Sequence, residues 1–314
     1  MNACLQKCTP FFITVIGGLM LLAGVCAACL APAEFYSYYL FTEGGRFHYE
    51  GFGFGSFLFG VIAVQIVLYY LMALILIPLG WGHLKRQSWV PKVSAVLLRT
   101  WLVAGIPLLL FFLFMLISFK EPSPGFVVFS LLVCVLLYPV VPVSLIRFYE
   151  SRHVSDIFHA GGKNDSRINS FPPSMLVTVI LYSGGILFFH ILLLYRGIFP
   201  FFGTWLTDLP GFAMTILSIF FLALLAAGTL KRKIWAWWLS VTGIAAFMIS
   251  SGLSLVSGDI QSLVRVLKFP ETEAGMFMNM PLKGWHLCTM ACIPLLFLLI
   301  AVLYSKKSFH ETDR

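Results

Sequence analysis

The sequence Gly82-His83-Leu84-Lys85-Arg86-Gln87-Ser88-Trp89 has a second copy later in the chain, Gly228-Thr229-Leu230-Lys231-Arg232-Lys233-Ile234-Trp235. Glycine, leucine, lysine, arginine and tryptophan recur in the same register, and each copy joins two long apolar runs. Glycine ends a helix, lysine and arginine favour the cytoplasmic side of a membrane, and tryptophan favours the headgroup level. We therefore interpret each copy as a turn at which the chain leaves a membrane and re-enters it, with Lys85, Arg86, Trp89, Lys231, Arg232 and Trp235 as its anchors.

The composition of the whole chain is typical of a membrane protein. Of its 314 residues, 60% are hydrophobic and 11% are charged, whereas ordinary globular chains carry about 25% charged residues. Apolar runs of about eighteen or more residues recur along its length, and each can cross a ~30 Å hydrocarbon core as a helix. The sequence therefore predicts an all-α, polytopic helical membrane protein.

Eight transmembrane helices are predicted, about 11–31, 56–79, 91–119, a fourth ending near Ile146, 174–195, 211–227, 235–256 and 285–304. Pro139 and Pro142 predict a kink in the fourth. The first span could also be a signal peptide, but its apolar stretch is longer than the 7–15 residues of such a segment. A loop is expected from Glu34 to Gly55.

The spans divide the chain into residues 1–148, a polar linker of residues 149–173, and residues 174–314. Each half holds four spans, an even number, so both halves have the same orientation. This arrangement predicts a parallel 4+4 internal repeat, related by an axis along the membrane normal. The alternative is that the two basic turns are a convergent loop signature.

The basic residues predict the orientation of the chain. Fifteen of the 21 lysines and arginines fall on the side of the two basic turns, and the other six are Arg46, Lys120, Arg196, Arg265, Lys268 and Lys283. The positive-inside rule then places the linker and both termini in the cytoplasm. The net charge of +8 does not indicate nucleic acid, because the charge lies in short loops rather than on a soluble domain.

Three segments carry a resemblance to multi-spanning bacterial inner-membrane proteins of no assigned activity. They are Phe199-Pro200-Phe201-Phe202-Gly203-Thr204-Trp205-Leu206, Leu230-Lys231-Arg232-Lys233-Ile234-Trp235-Ala236-Trp237-Trp238 and Gly284-Trp285-His286-Leu287. The resemblance implies a location in the bacterial inner membrane and implies no activity.

Polar residues inside spans often mark function in membrane proteins, and two are candidates here, Gln65 and His190. No Asp, Glu, Lys or Arg residue lies near the centre of a predicted span. Proton-coupled and ion-coupled carriers normally need such groups, so the sequence argues against them. It leaves open a carrier for lipids or apolar solutes. An ordinary hydrogen bond between helices is the alternative role for Gln65 and His190.

Soft-metal ligands gather before and within the last span. They are Met276, Met278, Met280, His286, Cys288 and Cys292, and Cys26 and Cys29 are expected at a similar depth in the first span. Thioethers and thiolates select Cu(I), so a copper or thiol-redox site is one hypothesis. Methionine and cysteine are also ordinary packing residues. No other metal or cofactor is predicted.

An amphipathic helix is predicted over residues 259–268, where apolar residues follow the i, i+3, i+4, i+7 pattern and Pro270 ends the run. We expect it to lie on the outer surface of the membrane as an anchor or a lid.

These observations favour a membrane-embedded binding or scaffold protein rather than an enzyme. A transporter of a lipid or small apolar solute, binding between the halves, is the alternative, and the soft-metal or thiol-redox site is a third possibility. The expected partners are the lipid bilayer and another membrane protein or a second copy of the chain.

The charge bias predicts the outcome of a topology experiment. Reporter fusions after Arg86, after Arg167 and at the C-terminus should all report a cytoplasmic location. A periplasmic signal at any of these three positions contradicts the eight-span orientation.

Overall fold

The computed structural model describes residues 2–48, 53, 55–118, 123–160, 167–278, 280 and 282–310. Helices make up 83% of the structure, which confirms the all-α prediction. Within the described ranges, eight helical segments are long and apolar enough to cross a membrane, as the sequence predicts.

The elements follow one another in an order that alternates long helices with short connections. The first four spans are α1 (Asn2–Phe41), α2 (Phe57–Leu84), α3 (Val90–Ser118), and α4 (Pro124–Val135) continued by α5 (Val141–Tyr149). The next elements are α6 (Arg152–Ala160), α7 (Pro173–Leu194), β1 (Phe199–Phe201), β2 (Thr204–Leu206), α8 (Asp208–Leu230) and α9 (Ile234–Val256). The last described elements are α10 (Ile260–Leu267), α11 (Glu271–Met278), α12 (Gly284–Tyr304) and α13 (Lys307–His310).

The two ends of the helical bundle differ in what they carry. Both basic turns lie at the end where α2 and α8 finish, which we call the turn face. The β-hairpin formed by β1 and β2 lies at the opposite end, together with α10 and α11. We call that end the hairpin face.

The first helix is longer than the sequence predicts. We expected a loop from Glu34 onward, but α1 runs through Pro32 and ends at Phe41. Packing against α2 extends it, since the Tyr38 ring contacts the Phe59 ring edge-on at 5.6 Å between centroids. Proline inside a membrane helix is tolerated where a neighbouring helix supports the segment.

The fourth span departs from α-helical geometry where its prolines lie. A π-helical segment, Leu136–Val140, contains Pro139 and separates α4 from α5. The Tyr138 ring of this segment stacks on Trp101 of α3, with 5.5 Å between centroids. The irregularity therefore lies at the predicted kink, where an aromatic contact to the neighbouring span supports it.

The two basic turns have the same backbone structure. Arg86 and Arg232 adopt the left-handed conformation, with φ of 51° and 53°. The next amide donates to the carbonyl five residues earlier in both turns, Gln87 to Gly82 and Lys233 to Gly228, each at 2.9 Å. These bonds close both helices with the same C-terminal motif.

The surroundings of the two turns are different. At the first turn His83 is buried; its Nδ1–H donates to the Leu79 carbonyl at 2.7 Å, and its Nε2 accepts from the Tyr149 hydroxyl at 2.8 Å. At the second turn Thr229 replaces His83, and the nearby tyrosine hydroxyl is that of Tyr182, which donates to Ser240 at 2.6 Å. The two turns thus share their backbone structure, and the side chains that surround them differ.

The predicted linker contributes to the core at the turn face. It contains α6, and two α6 side chains, Val154 and Phe158, are buried in a cluster with Ile13 and Tyr149. Arg232 of the second turn donates to the Ser170 carbonyl at 2.8 Å. The linker is therefore packed against the bundle in its described parts.

At the hairpin face a carboxylate joins the two halves of the chain. Glu273 of α11 is 5% exposed and accepts from the first amides of α2, those of Phe57 at 2.7 Å and Leu58 at 3.1 Å. A carboxylate at a helix N-terminus satisfies amides that have no partner within the helix. The Tyr195 hydroxyl adds a bond to the Phe57 carbonyl at 3.1 Å. Burial raises the pKa of Tyr195, and the charge of Glu273 raises it further, so this hydroxyl remains a donor at neutral pH.

The glycine of the second turn gives a test of its packing. A Cβ at Gly228 would lie 2.7 Å from both the Ala236 Cβ and the Trp235 ring. Gly228→Ala should therefore destabilise the protein by about 1–3 kcal/mol through overpacking, seen as a lower midpoint of thermal unfolding in detergent. Gly184→Ala is the matched control, because a Cβ there meets open space. Equal midpoints for the two variants would contradict the close packing of the turn.

Candidate functional site

An apolar cavity of about 280 Å³ lies inside the second half of the chain. It is bounded by α7, α8, α9, α12 and the β-hairpin. Seven phenylalanines line it: Phe188, Phe189, Phe199, Phe201, Phe202, Phe221 and Phe247. At its inner end lie Tyr182, Leu225 and Ile244, which belong to the buried core of this half. We call this space the phenylalanine cavity.

The polar groups of the cavity are already hydrogen-bonded. None of the described residues that line it is charged. Its three hydroxyls donate internally: Tyr182 to Ser240 at 2.6 Å, Ser218 to the Met214 carbonyl at 2.8 Å, and Ser250 to the Pro200 carbonyl at 2.8 Å. A molecule in the cavity is therefore held by apolar contact, and a polar or charged solute would lose hydration without replacement.

The β-hairpin closes the cavity at the hairpin face. β1 and β2 pair antiparallel, with Phe199 opposite Leu206 and Phe201 opposite Thr204. The two turn residues, Phe202 and Gly203, have φ of 40° and 93°, the sign that a two-residue type I′ hairpin requires. Glycine adopts this conformation freely, but for Phe202 it is unfavourable, so other contacts must hold the turn.

Two serines of α9 hold the hairpin turn. Ser250 accepts from the Phe202 amide at 3.0 Å and donates to the Pro200 carbonyl at 2.8 Å. Ser254, one helical turn later, accepts from the Gly203 amide at 3.1 Å and donates to the Thr204 carbonyl at 3.0 Å. Each hydroxyl thus serves as both acceptor and donor, and together they replace the water that would otherwise satisfy this backbone.

An ion pair fixes the base of the hairpin. Arg196 precedes β1, and its Nη2 lies 2.7 Å from Oδ1 and 2.5 Å from Oδ2 of Asp208, the first residue of α8. Arg196 Nη1 also donates to the Val266 carbonyl at the end of α10, at 3.0 Å. The hairpin is therefore held at its base by Arg196 and at its turn by α9.

The structure places Gln65 and His190 in local hydrogen bonds. Gln65 Nε2 donates to the Tyr69 hydroxyl at 2.9 Å, and His190 Nδ1–H donates to the Ile186 carbonyl at 2.8 Å. Both bonds lie within one helix, whereas we expected bonds between helices. His190 also lines a smaller apolar groove of about 270 Å³ between α2 and α7.

The basic-turn residues lie at or near the surface of the protein, and their role as membrane anchors stays a prediction. Lys85, Arg86, Lys231 and Trp235 are exposed, and Trp89 and Arg232 are partly buried. The Lys85 ammonium group lies 5.1 Å from the centroid of the Trp81 ring. None of these residues lines the phenylalanine cavity.

The structure brings two of the predicted soft-metal ligands together. The sulfurs of Cys288 and Cys292 are 3.8 Å apart and face α9 near Gly252. Met280 instead packs in an apolar cluster with Ile260 and Leu282, and Met278 is exposed. The His286 Nδ1 accepts from the Lys283 amide at 2.8 Å.

The remaining cysteines and methionine of the copper hypothesis do not add ligands to the Cys288–Cys292 pair in the described part of the structure. Cys26 and Cys29 are exposed on α1, a helix that packs on α2 and α6. The side chain of Met276 lies outside the described part of the structure. Within the described residues, no group of three or more His, Cys, Asp or Glu side chains is arranged to hold a metal ion. The copper and thiol-redox site stays a prediction.

The predicted amphipathic helix is present as α10, and its apolar face packs against the segment that follows it. Ile260 and Val264 are buried, and they pack with Leu282, Phe269 and Phe277 from the segment that follows. Asp259 caps the helix by accepting from the Ser262 amide at 2.7 Å. This bond is the main cause of the lowered pKa of Asp259, so the cap remains charged at neutral pH.

The residues that form the cavity and its closure were not found from the sequence. The available signals were weak: Phe202-Gly203 is a possible hairpin turn, and Ser250 and Ser254 are four residues apart on one helix face. Serine in a membrane helix commonly bonds its own backbone, so this spacing does not by itself indicate a contact with a hairpin.

Comparison of the chain with protein-family models, with curated proteins and with solved structures gives no match. The chemistry of the site is therefore argued from its own geometry.

The two serines predict the local stability of the hairpin. Ser250→Ala and Ser254→Ala each remove one accepted and one donated bond to the hairpin, so each should speed amide hydrogen exchange in the segment 199–206 by at least roughly 2- to 12-fold, the net worth of one hydrogen bond. Ser257→Ala is the control, because the Ser257 hydroxyl donates to carbonyls of its own helix. Unchanged exchange in both serine variants, measured by mass spectrometry, would show that these bonds do not hold the turn.

Proposed function

We propose that the protein is a membrane-embedded binding protein that takes an apolar molecule, such as the acyl chain of a lipid, into the phenylalanine cavity. The observation that carries this proposal is a cavity whose described lining residues include seven phenylalanines and no charged side chain, with hydroxyls that all donate internally. Aromatic and aliphatic walls are typical of sites for small apolar ligands.

The size of the cavity narrows the class of ligand. Its volume of about 280 Å³ is close to the lower end of the ~300–1,000 Å³ common for ligand pockets. This volume suits a single acyl chain or a small apolar solute, and it is too small for a whole phospholipid. The exposed rings of Phe188, Phe201 and Phe202 lie where such a chain would enter from the surrounding lipid.

A carrier for the same class of molecule is the second candidate function. It is favoured by the hairpin, whose turn is attached to α9 through the hydroxyls of Ser250 and Ser254. Bonds of this kind can open and close without breaking the helical core. Reconstituted protein that accelerates the transfer of a fluorescent phospholipid between vesicle leaflets would favour the carrier, and binding without transfer would favour the binding protein.

We also infer that the chain lies in a bacterial inner membrane with both termini in the cytoplasm, and that its halves arose by duplication. The distribution of lysine and arginine supports the orientation. The matching hydrogen bonds of the two basic turns support duplication. A membrane-protein partner or a second copy of the chain remains part of the proposal, because many large apolar side chains are exposed on the spans.

Photolabelling tests the binding proposal. A phosphatidylcholine whose acyl chain ends in a diazirine should label peptides that contain Phe188, Phe221 or Phe247 after irradiation. Ala246 lines the cavity, and Ala246→Phe should reduce this labelling about fivefold or more by filling the space.

The matched control for this experiment is Ile249→Phe, which adds the same ring at a 55% exposed position of the same helix. It should leave the labelling unchanged. Labelling that is equal in the wild type and Ala246→Phe, or that is spread evenly over all spans, would contradict a binding role for the cavity.

A further inference from the structure

A second cavity, of about 660 Å³, lies at the turn face between the two halves of the chain. Its walls come from α3 of the first half and from the start of α7, the end of α12 and α13 of the second half. We call it the inter-half cavity. Among the residues that the structure describes, none lines both this cavity and the phenylalanine cavity.

The mouth of the inter-half cavity is cationic. Arg99 of α3 and Lys307 of α13 line it, and none of the described lining residues is acidic. Glu150 pairs with Arg99 from outside the lining, through Arg99 Nη2. A guanidinium group has five N–H donors, so this pairing leaves others for a second anion. The Ser174 and Ser308 hydroxyls, 2.9 Å apart, add hydrogen-bonding groups beside the cations.

The deeper walls of the inter-half cavity are apolar. Leu102 and Val103 of α3 face Phe297 and Ile300 of α12 across it. Tyr304 lines the mouth and is 80% exposed. Tyrosine is enriched in membrane proteins at the level of the lipid headgroups. The cavity therefore passes from a cationic mouth to an apolar interior along the spans.

We propose that the inter-half cavity binds an anionic phospholipid, with its phosphate between Arg99 and Lys307 and an acyl chain between α3 and α12. Basic pockets between transmembrane helices are suited to anionic headgroups on the cytoplasmic side. The apolar walls select a lipid over a free phosphate, because a hydrated anion gains nothing from Leu102 and Phe297. The bound lipid would connect the two halves at the turn face, opposite the Glu273 contact.

The proposal is tested with the full-length protein in mild detergent, offered equal amounts of dioleoyl-phosphatidylglycerol and dioleoyl-phosphatidylcholine. The two lipids have the same chains, so their retention, counted by native mass spectrometry, reports the headgroup alone. The wild type should retain phosphatidylglycerol preferentially. Lys307→Gln and Arg99→Gln should each lower that preference about fivefold, the effect of one cation near an anionic lipid.

Two controls separate headgroup binding from a loss of structure. Glu150→Gln breaks the ion pair with Arg99 but keeps the cation, so it should retain the preference. Lys233→Gln removes a cation of the turn face that lies outside the cavity, and it should also retain the preference.

Three results would overturn the proposal. Equal retention of both lipids by the wild type would show that the cavity does not discriminate between the two headgroups. A fivefold loss in Lys233→Gln would show that general surface charge is responsible. Displacement of phosphatidylglycerol by glycerol 3-phosphate would identify a site for a free anion instead.

Discussion

Backbone amides and carbonyls at the end of a membrane helix need hydrogen-bond partners within the protein. This constraint determines the structure of both faces of the bundle. In hydrocarbon an unpaired amide or carbonyl costs several kcal/mol. At the turn face the two helices close on themselves through bonds from Gln87 and Lys233 to the glycine carbonyls. At the hairpin face, side chains provide the hydrogen-bond partners. Ser250 and Ser254 accept from amides of the hairpin turn, and Glu273 accepts from the first amides of α2.

The sequence predicted those parts of the fold that depend on local chemistry. The eight spans follow from apolar length, and the basic turns follow from glycine, two cations and tryptophan in fixed order. The π-helical segment falls at Pro139, and α10 follows from its 3.6-residue periodicity. In each case the residues that decide the structure are close together in the chain, so their pattern can be read without knowing the packing.

The parts that were missed depend on contacts between distant residues. The extension of α1 to Phe41 rests on a neighbouring helix, and the closure of the phenylalanine cavity joins residues about fifty positions apart. Strands of three residues are too short to show alternation in the sequence. The periodicity predicted α10 correctly, but we expected its apolar face to contact lipid and it packs against protein. Hydropathy does not distinguish a lipid surface from a protein surface. Gln65 and His190 differ again, since their bonds stay within one helix.

The contact between Glu273 and α2 has a consequence for the order in which the protein is made. The amide of Phe57 and the carboxylate that it binds are separated by 216 residues. A ribosome releases the second span long before it reaches α11, so the start of α2 lacks this partner while most of the second half is synthesised. The hydrogen bonds between Glu273 and the first amides of α2 therefore form only after α11 has been translated, so this helix end acquires its partner from the C-terminal half late in synthesis.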